Sequence, residues 1–205
     1  EEYLEIFDEI ESNQNNASLI IRSDHAKTFC NGLDLAWLIQ QSIEEKKAFT
    51  VQLENMLLRL ALLNIPVIAE INGNAYAGGA ILASACDFRF MRADKGFFCF
   101  PEVDLSIPFL PGMIEFVKKA MPYYRFNEMK LSGRRVSGKE LEDDHVVEKA
   151  YDSQASLIEG AVNYAKTFDK KRSIFAEHKK RLHKHIIHTI NIENKPMIEA
   201  LTLMV

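Results

Sequence analysis

Cysteine is scarce in this chain: Cys30, Cys86 and Cys99 are the three among 205 residues. An odd, sparse set builds no disulfide framework and suits buried free thiols in a reducing compartment. Positive charge is in deficit too, with 25 Lys and Arg against 29 Asp and Glu and a formal charge of -4. That balance gives no electrostatic case for a nucleic-acid partner. No apolar run reaches the ~18 residues of a membrane span. No signal-peptide pattern opens the sequence, and Leu203-Met204-Val205 carries no peroxisomal address. Internal repeats and low-complexity linkers are lacking as well. What is present, 47% hydrophobic and 26% charged residues, is the make-up of an ordinary globular domain long enough to bury a core.

The periodicities predict an α/β chain. Leu4, Phe7 and Ile10 recur as one face of a first helix. Ser18 to Arg22 reads as a buried strand, and Asp34 to Gln41 as a helix capped by Asp34. Leu53, Met56, Leu57, Leu60 and Leu63 mark a longer helix ended by Pro66. Val67 to Ile71 is a second strand, Gly78 to Ala85 a small-residue helix, and Asp87 to Arg92 and Phe97 to Phe100 two more strands. Helices dominate from Pro111 on. A stripe of Ile158, Ala161, Val162, Ala165 and Phe168 precedes a last, basic helix over Ser173 to Ile190, with Pro196 interrupting before an apolar tail. Alternating strands and helices argue for an α/β core with a helical C-terminal part packed on it.

Three segments carry candidate chemistry. The first, Ala26 to Leu35, contains Gly32 between a strand and a helix, where main-chain N–H groups are left free. Free donors at a helix start suit an oxyanion; alone, the segment is also an ordinary connection into a capped helix. The second, Asn72 to Ile81, is rich in glycine and alanine, which permits close approach of a ligand or simply tight helix–strand packing. It lacks both the Lys-Ser/Thr of a phosphate-binding loop and the GxGxxG of a dinucleotide fold. The third, Phe100 to Asp104, sets Glu102 after an apolar strand. A carboxylate near apolar surface titrates high and suits proton transfer, whereas in isolation it is as readily a surface residue or a cap.

In this order and spacing the segments AKTFCNGLDL, NIPVIAEINGNAYAGGAILASACDFRF and PEVDLSIPFLPG resemble the crotonase (enoyl-CoA hydratase/isomerase) superfamily. The resemblance runs from about Ser18 to Tyr151, and residues 84 to 108 look most like the plant and peroxisomal Δ3,Δ2-enoyl-CoA isomerases. It implies a spiral of ββα units with a helical C-terminal trimerisation region. The core is expected over residues 1–150, without the strand that usually precedes the first helix, and the helical region over 151–205. It implies an acyl-CoA thioester as partner, no nucleic acid, no membrane, no metal, no cofactor beyond the coenzyme A of the substrate, and a homotrimer or dimer of trimers. The location implied is cytoplasmic for a bacterial protein, otherwise peroxisomal or mitochondrial.

By position, the resemblance assigns the thioester oxygen to the N–H groups of Leu33 and Gly78. Ala26 falls on the loop that meets the adenine, and Leu33, Asp34 and Leu35 on the stretch lining the bent coenzyme A. Hydratases of the family use two glutamates to activate water. The second falls on Glu102 and the first on Ile81, a hydrocarbon. One carboxylate is enough for a 1,3-proton shift, so the expectation is an isomerase of fatty-acid β-oxidation converting 3-enoyl-CoA to trans-2-enoyl-CoA. A hydratase, a thioesterase or a non-catalytic acyl-CoA binder are the alternatives. Ile81, Leu38 and Phe109 are candidates for the acyl wall or ordinary core, Asp104 for a second acid or a cap, and Asn74 for a thioester contact or a turn. Lys179, Lys180, Arg181, His183, Lys184, His185 and His188 are expected to form a solvated cationic face, with coenzyme A phosphates as the functional option.

Overall fold

The computed structural model describes residues 2–200. The chain winds in repeated passes, each laying one strand in a larger parallel sheet, one short strand in a smaller sheet, and then helix. The larger sheet has the order β1 (Leu19–Arg22), β3 (Val67–Ile71), β5 (Phe88–Arg92), β7 (Lys149–Tyr151), all parallel. The smaller has the order β2 (Thr28–Cys30), β4 (Asn74–Tyr76), β6 (Phe98–Cys99), also parallel. This is the α/β spiral that the family resemblance implies. The strands β2, β4 and β7 are additions to the sequence reading, and β6 is shorter than the expected Phe97 to Phe100.

Helix α1 (Glu2–Ser12) docks through Phe7, which is fully buried, with Leu4 and Ile10 beside it. After the single turn of α2 (Leu35–Ile39), α3 (Ile43–Leu62) starts at a capping box in which Ser42 and Glu45 exchange hydrogen bonds. Helix α4 (Gly78–Ala85) runs through the middle. Its residues from Gly79 to Ala85 are all buried, which is why it has no polar face. Its C-terminal carbonyls are met by the Lys119 ammonium, which donates to Ser84, Ala85 and Cys86 at 3.1, 3.0 and 2.6 Å. Helices α5 (Pro111–Ala120), α6 (Tyr123–Ser132) and α7 (Gly138–Asp143) follow. Helix α8 (Gln154–Ala165) covers the outer face of the larger sheet, where Leu157 and Ala161 pack on Ile68 and Phe90.

The C-terminal part differs from the expected single basic helix. It is α9 (Arg172–Leu182), α10 (Lys184–Thr189), a wide π turn over Ile190–Asn194 and α11 (Lys195–Glu199). Pro196 sits in the first turn of α11, where its missing N–H costs nothing, so it starts a helix rather than interrupting one. The expected solvated face holds at Lys180, Arg181, Lys184, His185 and His188, which are exposed, and is corrected at Lys179 and His183, which are buried. The Lys179 ammonium lies 2.8 Å from Asp87 Oδ2, which also accepts from the Val67 N–H at 2.9 Å. Part of the basic stretch therefore clamps the helix to the start of β3. Of the apolar tail, Met197 and Ile198 fall in α11, and residues 201–205 lie outside the described residues.

A buried hydrogen-bond relay fixes the end of the chain. The Asn194 side chain accepts from the Gly112 N–H at 2.9 Å and donates to Glu54 on α3. Burial pushes the Glu54 carboxyl up to about 7, against the lowering effect of the Asn194 bond. A group held above its unfolded value stabilises the fold fully below the unfolded pKa and loses that contribution as pH rises through the folded one. Glu54→Gln keeps an acceptor for Asn194 and removes the titration. Its melting temperature relative to the native protein should climb between pH 5 and pH 8; a difference that stays flat across that range would contradict the assignment.

Candidate active site

Two connections between the sheets meet at the N-terminal end of α4. Gly32 takes a φ of +89°, and a side-chain carbon there would lie 2.7 Å from the Gly78 nitrogen. From the other side, a carbon on Gly78 would lie 3.7 Å from the Leu33 nitrogen. The two amides therefore flank one small space with no side chain between them. Among the described residues neither N–H finds an acceptor. Ala77, just before Gly78, has φ +51° and ψ -124°, a region an L-residue occupies only under constraint. That strain turns the chain so that α4 begins at the shared space. Gly79 acts differently. A carbon there would lie 2.0 Å from the Cys30 carbonyl oxygen, so its bare backbone permits α4 to press onto β2. The tight-packing reading of the glycine-rich segment thus holds at Gly79.

Glu102 sits in a 3₁₀ turn, Pro101–Val103, closed by main-chain hydrogen bonds from Asp104 and Leu105 back to Pro101 at 3.0 and 3.2 Å. The Ile107 N–H donates to the Glu102 carbonyl at 3.0 Å, which holds the turn from its far side. The Glu102 side chain is buried at 6% exposure, and its Oε2 has no hydrogen-bond partner among the described residues. Burial raises its pKa, while its own main-chain N–H and the Lys130 ammonium work in the opposite direction.

These groups open onto one cavity of about 400 Å³. Leu33, Leu35, Leu38, Ile81 and Phe109 line it, as do Thr50, Leu53 and Leu57 of α3 and Ile198 of α11. Among the described residues, Glu102 is the single acid on that wall. Ile81 is 3% exposed and occupies the place where a second carboxylate was sought. The cations Lys46, Lys47 and Arg135 also line the cavity.

Other candidates lie elsewhere. The Asp34 side chain accepts from the Trp37 N–H at 3.0 Å and caps α2. Ala26 lies in a separate polar cleft with Arg22, Asp24, His25, Asn72 and Lys95, and its carbonyl accepts from Lys95 at 2.8 Å. Asp104 is exposed, its carboxylate lies against Gly133, and it does not line the cavity. The Asn74 side chain accepts from the Phe97 N–H at 3.1 Å and makes a loop-to-loop tie. None of the cations of α9 and α10 lines the cavity.

A family model described as enoyl-CoA hydratase/isomerase matches residues 1–199. The chain belongs to the enoyl-CoA hydratase/isomerase family. It is 30% identical over 205 residues to the peroxisomal enoyl-CoA delta isomerase 2 of Arabidopsis thaliana, with 94% of this chain and 84% of that protein covered. Among solved structures, an enoyl-CoA hydratase from Bacillus anthracis superposes with a TM-score of 0.78 at 26% identity, covering 98% of this chain and 77% of that one. Human mitochondrial delta3-delta2-enoyl-CoA isomerase superposes with a TM-score of 0.82 at 18% identity, covering 98% and 79%. Within this family fold, sequence reasoning placed Glu102, Leu33, Gly78 and Ile81 on one cavity. It missed Ala77, whose backbone strain has no residue-type signal, and Arg135, which reaches the cavity only through the pairing of Val136 with Phe98.

The Gly32 geometry is open to test. Gly32→Ala puts a carbon into the Gly78 amide at a positive φ, so the variant should lose about 1–3 kcal/mol of stability. Chemical denaturation measures this, and an unchanged midpoint would show that the two segments have room to part.

Proposed function

We propose that the protein is a Δ3,Δ2-enoyl-CoA isomerase. The observation that carries the reading is one buried carboxylate, with its Oε2 free of hydrogen bonds, in a largely apolar cavity beside two free main-chain donors. Glu102 takes a proton from C2 of a 3-enoyl-CoA. The electron pair delocalises through the C1 carbonyl onto the thioester oxygen and through the C3–C4 double bond onto C4. The N–H groups of Leu33 and Gly78 form the oxyanion hole that holds this oxygen. One such donor is typically worth about 3 kcal/mol in the transition state. Protonated Glu102 then returns the proton to C4, giving the trans-2-enoyl-CoA. Protons balance within the substrate and one side chain, so the step itself calls for no further cofactor.

The surroundings suit that sequence. A carboxylate whose pKa is lifted by burial is a stronger base than one in water and exchanges its proton at lower cost. Ile81 offers nothing to orient a water, which favours isomerisation over hydration. Leu53, Leu57 and Ile198 supply an apolar wall for the acyl chain. Lys46, Lys47 and Arg135 give the cavity positive charge for the phosphate-bearing half of coenzyme A. On this reading the reaction belongs to fatty-acid β-oxidation, in a trimeric assembly, and the compartment is peroxisomal or mitochondrial in a eukaryote.

With 3-hexenoyl-CoA, the purified protein should produce a conjugated enoyl thioester, followed by its ultraviolet absorbance. Glu102→Gln should lower kcat by about 10²- to 10⁴-fold while the variant remains folded by circular dichroism. Hydration of crotonyl-CoA should be slow by comparison. An undiminished isomerisation rate in the Gln variant, or faster hydration than isomerisation, would remove this assignment.

A further inference from the structure

We propose that Lys130 is a positioning residue that holds Glu102 ready as a base by acting on it through space. This rests on the reading of Glu102 as the acid/base. Lys130 lies in α6, which packs against the 3₁₀ turn carrying Glu102. Its ammonium sits 3.6 Å from the centre of the Phe109 ring. Phe109 lines the cavity and is itself held edge-on against Phe100, with ring centres 5.6 Å apart. A ring face attracts a cation strongly when both are screened from water, so the ammonium has a fixed seat one side chain away from the reacting groups.

The seat matters because the contact between Lys130 and Glu102 is indirect. Glu102 Oε2 has no hydrogen bond, so the ammonium does not tie up that oxygen. A direct ion pair would fill the lone pair needed for the C2 proton and would weaken the base. With no cation at all, burial would favour the protonated, inactive carboxyl. An opposite charge held nearby but out of hydrogen-bond contact keeps the carboxylate charged and leaves its oxygen free. The electrostatics run both ways: Lys130 favours ionised Glu102, and Glu102 favours the charged form of a Lys130 that burial alone would drive toward neutrality.

Other groups around Glu102 do not supply this effect. Cys99 on β6 is a buried thiol that burial keeps protonated, donating to the Gly133 carbonyl. Asp104 on the same turn carries the wrong sign and is exposed against Gly133. Tyr76 of β4 lies under the Arg135 guanidinium at 5.7 Å. Arg135 is exposed, and Lys46 and Lys47 reach the cavity from α3, with Lys47 paired to Glu199 at 3.5 Å. Lys130 is the cation that is seated on Phe109 and carried by the helix that packs on the Glu102 turn.

The test compares native protein, Lys130→Met and Lys130→Arg by two readouts. One is the pH profile of kcat/KM for 3-hexenoyl-CoA. The other is the direct titration of the Glu102 carboxyl by carbon-13 NMR, its signal identified by its loss in Glu102→Gln. In Lys130→Met both the acid limb and the NMR midpoint should shift to higher pH, and Lys130→Arg should bring both back toward the native position. Should Lys130→Met fail to fold, Phe109→Leu removes the seat while leaving both charges, and its NMR midpoint should move the same way. A midpoint unmoved in the Met variant, or in Phe109→Leu where that replaces it, would overturn the proposal; so would an Arg variant that behaves like Met. If the native protein does not isomerise 3-hexenoyl-CoA but the NMR midpoint moves, the coupling stands and the assigned reaction falls.

Discussion

The contact on which the site depends is one between bare stretches of main chain. Residues 32–33 and 77–78 approach so closely that a single methyl group on Gly32 would collide with the Gly78 nitrogen. The two sheets enforce this approach. Pairing of β2 with β4 brings Cys30 beside Ala75, and Gly79 lets α4 press on the Cys30 carbonyl. Because the donors are backbone N–H groups, their placement is a property of the fold and not of any side chain. On the proposed reading, such preorganised donors need no rearrangement when charge develops on the thioester oxygen.

Burial of acids runs through the same part of the molecule with different outcomes. Glu54 is stabilised by Asn194 and serves the docking of the C-terminal segment. Glu70 in β3 has both oxygens buried without a hydrogen bond, with the Arg22 guanidinium at 4.0 Å. Glu102 alone of these three lines the apolar cavity. An unpaired buried carboxylate costs stability, and at Glu102 the proposed chemistry gives that cost a use. The C-terminal segment is part of the same design. Ile198 closes the cavity, and Asn194 and the Lys179–Asp87 pair hold the helices that carry it.

What could be read from the residue order follows the strength of the local signals. Val67 to Ile71 was legible because a strand covered on both faces is a nearly continuous apolar run, and Phe88 to Arg92 because its apolar residues are interleaved with arginines. Of the three strands of the smaller sheet only β6 was, inside the longer expected run Phe97 to Phe100. They are two or three residues long, their pairing is through main chain, and no apolar alternation marks them. The basic helix was misread for a related reason. Exposed lysines and Lys179 look alike in sequence, and the partner that buries Lys179 is 92 positions away.

The order of residues by itself determined the chemistry on offer: one glutamate after a proline, glycines at two helix starts, and a hydrocarbon at position 81. Those are properties of residue type, and type is local. Only the tertiary structure decided that the amides of Leu33 and Gly78 share one space, that Glu102 lines the same cavity, and that Lys130 rests on Phe109 nearby. Each of these is a distance between segments far apart in the chain, fixed by sheet pairing and helix packing that no short window of sequence contains.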